Sequence, residues 1–320
     1  MSALAFTIIA LLLSGPVPAM LARADWPMRA PRAAIVLWQS IALAAVLSAF
    51  SAGIAIALGL FQPGPDGRPT ATLTGSIATL GWPLWSVYVV VLALTLVIGA
   101  RLIISIVRVA IATRRRRAHH RMVVDLVGAS QDSLPQLCQQ PQPLANSGLR
   151  ILDVDEPLAY CLPGVRSRVV VSEGAVKALS DREMTAILTH EHAHLRARHD
   201  LVLEMFTAMR TAFPRWVRSA KALTAVRLLI ELLADDAAVR STGPRPLARA
   251  LVACASARAP RGALAIGGPS TLVRVRRLGG APNSRLLAAG AYAAAAAVLV
   301  VPTVAFAVPW LTELRLLFFA

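Results

Sequence analysis

Five consecutive residues, His190-Glu191-His192-Ala193-His194, carry the chemistry most readily read from this chain. On an α-helix, positions four apart sit about 40° from one another around the axis, so His190 and His194 present their imidazoles on one side. Two neutral imidazoles at that spacing can share one zinc ion. Glu191 is turned about 100° from His190, near enough to take a proton from a water beside the metal while staying out of its coordination sphere. Metal-assisted peptide hydrolysis needs that arrangement. His192 is turned roughly 200° from His190 and reads as a surface or packing residue.

A catalytic zinc takes three protein ligands and keeps a fourth position open. The metzincin pattern would place a glycine at 197 and a histidine at 200, where the chain has Ala197 and Asp200. The third ligand is therefore sought on a later helix, and Glu231-Leu-Leu-Ala-Asp235-Asp236 supplies a carboxylate inside a leucine-rich run. Asp235, one turn beyond Glu231, can hydrogen-bond a ligand histidine from outside the coordination sphere. His199 and Asp200 are read as closing the first helix rather than joining the metal.

The elements that must position these groups follow from local signals. Ser180 followed three residues later by Glu183 is a capping box, which predicts a helix starting there and running through the histidines. Upstream, the alternation in Arg150–Val154 and the run Arg168–Val171 predict short strands parted by a Pro163-Gly164 turn, with the polar, proline-bearing Gln136–Ser147 as a loop before them. Downstream, Val202, Met205, Phe206, Met209, Phe213 and Trp216 recur at helical spacing and read as packing, and Pro214 ends that helix.

Composition places this catalytic segment in a membrane protein. The chain is 56% apolar and only 16% charged, with a mean hydropathy of +0.61, which excludes an ordinary soluble globule. Met1–Ala22, Ala33–Phe61, Pro69–Ala100 and Leu286–Thr312 lack charged residues for long enough to cross hydrocarbon of about 30 Å. Trp38, Trp82, Trp85 and Trp310 are placed as interfacial anchors. The first span has Ala22-Arg23-Ala24 as a candidate cleavage site but no basic start, so it is read as retained. The fold class expected is a multi-pass α-helical membrane protein with a mainly α, zincin-like α+β metallopeptidase domain inserted between the third and fourth spans. The expected divisions are 1–113, three spans with short loops; 114–285, the peptidase domain; and 286–320, the fourth span and a short tail.

Positive charge orients the spans. The loop from Arg23 to Arg32 carries net +2 and the loop from Gln62 to Pro69 is neutral. The first should therefore be cytoplasmic, the N-terminus outside, and the third span should end inside at Arg114-Arg115-Arg116-Arg117. The segment Arg114–Arg285 holds 26 basic and 14 acidic residues, net +12. Beside an apolar helix this excess fits anionic lipid of the inner leaflet, at about 1 kcal/mol per charge, and no direct nucleic-acid binding is expected. Cys138, Cys161 and Cys254 are too few and too dispersed for a disulfide scaffold or a metal knuckle and are read as reduced.

His190–His194, Arg198-His199-Asp200 and Glu231–Asp236, with Leu158–Gly164 and Val169–Ser172 before them, resemble the BlaR/MecR-type integral-membrane zinc metallopeptidases, distant relatives of the Ste24/HtpX proteases. The likeness covers about Ile151 to Arg240 and the order of the spans. It implies one Zn2+ held by His190, His194 and Glu231, with Glu191 as the catalytic base, Asp235 behind a ligand, and a plasma-membrane location with a cytoplasmic peptidase domain. It also implies a protein substrate such as a BlaI/MecI-like transcriptional repressor. The chain departs from the antibiotic-sensing members, since only Glu313–Ala320 follows the last span and neither lysine, Lys177 or Lys221, completes a Ser-x-x-Lys motif. Acylation by a β-lactam is therefore not expected. A quality-control protease and a non-hydrolytic, zinc-stabilised scaffold or receptor are the competing readings. Glu191, which a purely structural zinc site does not need, favours an enzyme.

Overall fold

The structure is a computed structural model. It describes the chain apart from Met1, Phe61, 64–68, 71–72, 131–147, Val165, 214–219, 256–263, 266–269, Ala281, 309–310 and 313–320. The expected loop Gln136–Ser147, Pro214, Trp216, Trp310, Cys138 and the tail from Glu313 lie outside the described residues.

Among the described residues, four stretches are long and apolar enough to cross a membrane: Ala3–Leu21, Pro31–Ala57, Gly75–Val127 and Arg285–Ala305. The first comprises α1 (Ser2–Ser14) and α2 (Pro16–Leu21), parted at Gly15 where Pro16 opens the second helix. α3 (Pro31–Ala57) is the central span and packs against α1 and against α4 (Leu73–Val127). Between α3 and α4 stands a small antiparallel pair, β1 (Gln62–Pro63) and β2 (Pro69–Thr70). Gly53 lies against Thr95, and Gly99 against Phe50, so missing side chains allow α3 and α4 to approach closely. Val87, Val90, Leu94, Val97, Ile103 and Ile104 stand exposed on α4, a surface that suits hydrocarbon rather than water.

One sequence reading is corrected here. Trp38 is not interfacial; it is 2% exposed, buried among the helices with Ile41 and Leu37. The helix of the third span continues beyond the arginine run. Hydropathy falls there, but arginine and alanine are good helix formers, and α4 continues through Arg114–Arg117 to Val127, broken only near its start at Gly81, whose φ of 72° precedes Pro83. At 55 residues it is about 80 Å long, more than twice the hydrocarbon thickness. The division expected at Arg114 falls inside this helix.

Beyond α4 lies a five-stranded sheet of order β3-β4-β6-β5-β7, built from β3 (Ala129–Ser130), β4 (Leu149–Leu152), β5 (Ala159–Leu162), β6 (Arg168–Ser172) and β7 (Leu264–Ala265). β4 and β6 are parallel, and β5 runs antiparallel to β6 and β7. The three valines of β6 are all buried because both faces of the sheet are covered. Val169 and Val171 join the core under the helix that carries His190 and His194, while Val170 packs with Tyr160, Leu162 and Val124 of α4.

The helices that follow are α5 (Glu173–Ala178), α6 (Asp181–Arg196), α7 (His199–Ala212), α8 (Ala220–Thr242), α9 (Pro244–Ala253) and α10 (Thr271–Leu278), before α11 (Arg285–Pro302) packs back against α3. α8 belongs to both layers. Its Leu223, Val226, Leu229, Ile230 and Leu232 are buried in one cluster with Leu13 of α1 and Ala34, Trp38 and Ile41 of α3.

Candidate active site

The capping box forms as its residue types require. Glu183 Oε2 accepts the Ser180 amide at 2.9 Å, and α6 starts there. One face of α6 then buries His190, Glu191 and His194 completely. α8 packs across this face and brings Glu231 opposite both histidines.

His190 Nε2 and His194 Nε2 are 3.1 Å apart. Glu231 Oε2 lies 3.4 Å from the first, and Oε1 lies 3.6 Å from the second. Donors bound at about 2.0–2.1 Å to one tetrahedral centre lie roughly 3.3 Å apart, so the three separations suit a single zinc ion. The donor set, two imidazoles and a carboxylate, fits the same metal. Glu191 stands beside this triad with 0% exposure, and neither of its oxygens accepts a well-directed hydrogen bond from the described residues. A buried carboxylate is costly without a donor, and a water turned toward it from the metal position would supply one.

Around the triad lie groups that fix its tautomers. Asp235 Oδ1 is 3.0 Å from His190 Nδ1, which keeps the proton on that nitrogen and leaves Nε2 free for metal. His199 Nδ1 is 2.9 Å from His194 Nδ1 and does the same for the second ligand. His199 and Asp200 open α7, after Arg198 takes a left-handed turn with φ 51°, and both are buried. His192 lies half-buried and is not part of the metal group.

Two neighbours were missed from sequence. Arg274 of α10 is 1% exposed, donates from Nε and Nη2 to both oxygens of Asp235 at 2.8 and 2.6 Å, and places Nη1 3.0 Å from Glu231 Oε2. A pair of buried carboxylates requires a nearby cation, but nothing in the sequence singles out this arginine among so many. The thiol of Cys161 on β5 faces Glu191, and burial raises its pKa well above the ordinary range. Cys161 and Cys254 are both buried and free.

Without metal, the charges sort themselves as follows. Burial opposes a charge on His190, but the Asp235 and Glu231 carboxylates outweigh it and lift its pKa to about 9. Burial lowers His194 to about 3. Glu231 is held at about 2 despite burial, by His194, His190 and Arg274. Burial raises Glu191 to about 7, in the range suited to exchanging a proton near neutrality.

Removing the Asp235 side chain should weaken zinc binding about 10- to 100-fold without removing a ligand. Chelator competition on purified Asp235→Ala protein measures this, and an unchanged affinity would assign His190's orientation to another group.

The site is a buried group of two histidines and a carboxylate suited to one metal ion, in a chain with long apolar helices. Residues 139–281 match the family profile described as Peptidase family M48. No curated protein and no solved structure matches the chain.

Proposed function

We propose that this protein is a membrane-bound zinc endopeptidase with a cytoplasm-facing active site, and that it relays a membrane or envelope cue by cleaving or inactivating a cytoplasmic repressor of the BlaI/MecI kind. The observation that carries the enzymatic reading is the convergence of His190, His194 and Glu231 beside the buried Glu191. Zinc, when bound there, supplies a Lewis acid that acidifies water and steadies negative charge on the attacked carbonyl oxygen. Glu191 takes the proton of the attacking water and passes it to the leaving amine. Asp235 and His199 keep the ligand nitrogens in the required tautomers, and Arg274 holds Asp235 and Glu231 in place.

The cytoplasmic orientation draws support from the basic loop between the first two spans. Arg277 of α10 donates to the Met28 carbonyl at 2.6 Å, and the Ser284 amide donates to the Arg29 carbonyl at 2.9 Å. Loop and peptidase domain thus touch, and a net-positive loop belongs inside. Arg114, Arg115 and Arg116 are exposed and face anionic lipid in this arrangement. In intact cells, an impermeant thiol reagent should label Gly67→Cys and spare Ser147→Cys; the reverse pattern would invert the orientation.

The repressor reading draws on the resemblance of the two catalytic motifs to BlaR/MecR peptidases. Strand addition of the substrate to β6 is not available, because β4 and β5 occupy both of its edges. The test is to follow repressor levels and target transcripts under envelope stress in cells carrying wild-type or Glu191→Ala protein. Identical profiles would sink the relay, and labelling of the chain by a fluorescent penicillin would overturn its independence from β-lactams. One observation favours the quality-control reading: Glu231 follows directly on Leu229 and Ile230, which are packed among membrane helices, so the site lies close to substrates emerging from the bilayer. Accumulation of membrane-protein fragments only in wild-type cells would decide for it.

A further inference from the structure

The arginine run on α4 is not uniform. Arg114, Arg115 and Arg116 are exposed, but Arg117 is 9% exposed and turned inward. Burying a guanidinium is expensive unless it is paired with good geometry. Arg117 Nη1 lies 3.0 Å from Asp200 Oδ2 and 2.7 Å from Glu204 Oε1, two carboxylates one turn apart on α7. Their side chains are only 4% and 13% exposed, so the three charges depend on one another. Lipid therefore does not account for this fourth arginine.

The position of Asp200 gives the contact its reach. It stands in the first turn of α7, next to His199, whose Nδ1 is 2.9 Å from Nδ1 of His194. For His194 to offer Nε2 to a metal, its proton must sit on Nδ1, and His199 is the acceptor that the structure provides. The two histidines are joined through Arg198, the one non-glycine residue with positive φ among the described residues. Such a turn holds only while its surroundings enforce it. The start of α7 is fixed against α4 by Arg117.

We propose that Arg117, on the helix of the third span, is a positioning residue for the metal ligand His194, acting through Asp200, Glu204 and His199. This rests on the reading of His190, His194 and Glu231 as a zinc site. The contact makes the geometry of one ligand depend on the placement of a membrane helix. Movement of α4 relative to α7 would then reach the zinc site directly.

The test uses the full-length protein in detergent, with zinc affinity measured by chelator competition and ligand geometry by the visible spectrum of the Co2+-substituted form. Arg117→Met should bind zinc about 10- to 100-fold more weakly and shift the Co2+ spectrum, with Arg117→Lys in between. Arg116→Met, the exposed neighbour, should match wild type. So should Ser105→Ala, which removes a different α4 to α7 contact, the 2.8 Å bond to the Ala208 carbonyl. Because Arg117 acts through His199, the double variant Arg117→Met/His199→Ala should be no weaker than His199→Ala alone. Unchanged affinity in folded Arg117→Met, or additive losses in the double variant, overturns the proposal. If Arg117→Met does not fold, Arg117→Lys and Asp200→Asn decide by the same criteria. Failure of the wild type to bind zinc would instead refute the zinc reading on which the proposal rests.

Discussion

Glu191→Gln is expected to abolish peptide hydrolysis while the protein keeps its zinc. The substitution preserves shape and removes only the group that takes the proton, and no metal ligand is touched. A positioned proton acceptor contributes about 10² to 10⁴ in rate. The residue is completely buried, so bulk water cannot easily replace it. Cleavage of a fluorogenic peptide, with metal content determined on the same preparation, measures both effects. A variant that still cleaves at the wild-type rate moves the base elsewhere; one that loses its metal makes Glu191 part of the binding site.

His190→Ala, His194→Ala and Glu231→Ala should each lose both zinc and activity, a larger combined effect than any other substitution. Each removes one of three donors, and two donors do not hold the ion against dilution. Glu231→Ala has a further consequence, because Arg274 then loses one of its carboxylate counter-charges in a buried site. The metal-free form of this variant should therefore melt below metal-free His194→Ala. Metal analysis and thermal denaturation of the purified variants check these outcomes, and full zinc occupancy in Glu231→Ala would place the third ligand on another residue.

The convergence of His190, His194 and Glu231 was legible because each motif lies within one helix, where spacing alone dictates a shared face. The four apolar stretches were legible for a similar reason, since hydrocarbon thickness sets a length that composition can be read against. What escaped depends on tertiary structure. β3 and β7 are two residues each and carry no periodicity. Arg274 reaches the site from a helix about forty residues after Glu231, and no local pattern marks it. Arg117 is chemically identical to its three neighbours, and only the direction it takes from α4 distinguishes it. The valines of β6 pointed to a strand but not to its central place in the sheet, which depends on pairing with β4 and β5.

The dual membership of α8 bears on how this protein can be dissected. The proposed ligand Glu231 is carried by a helix whose Leu223, Val226, Leu229, Ile230 and Leu232 are buried against the apolar helices α1 and α3. A fragment trimmed to the matched region, 139–281, would bare that stripe together with Phe206 and would leave Asp200 and Glu204 without Arg117. Bared apolar surface of that kind leads to aggregation. The matched region alone is therefore expected to aggregate, and recombinant production, ligand screening and crystallisation all call for the apolar helices to be retained in detergent or nanodiscs.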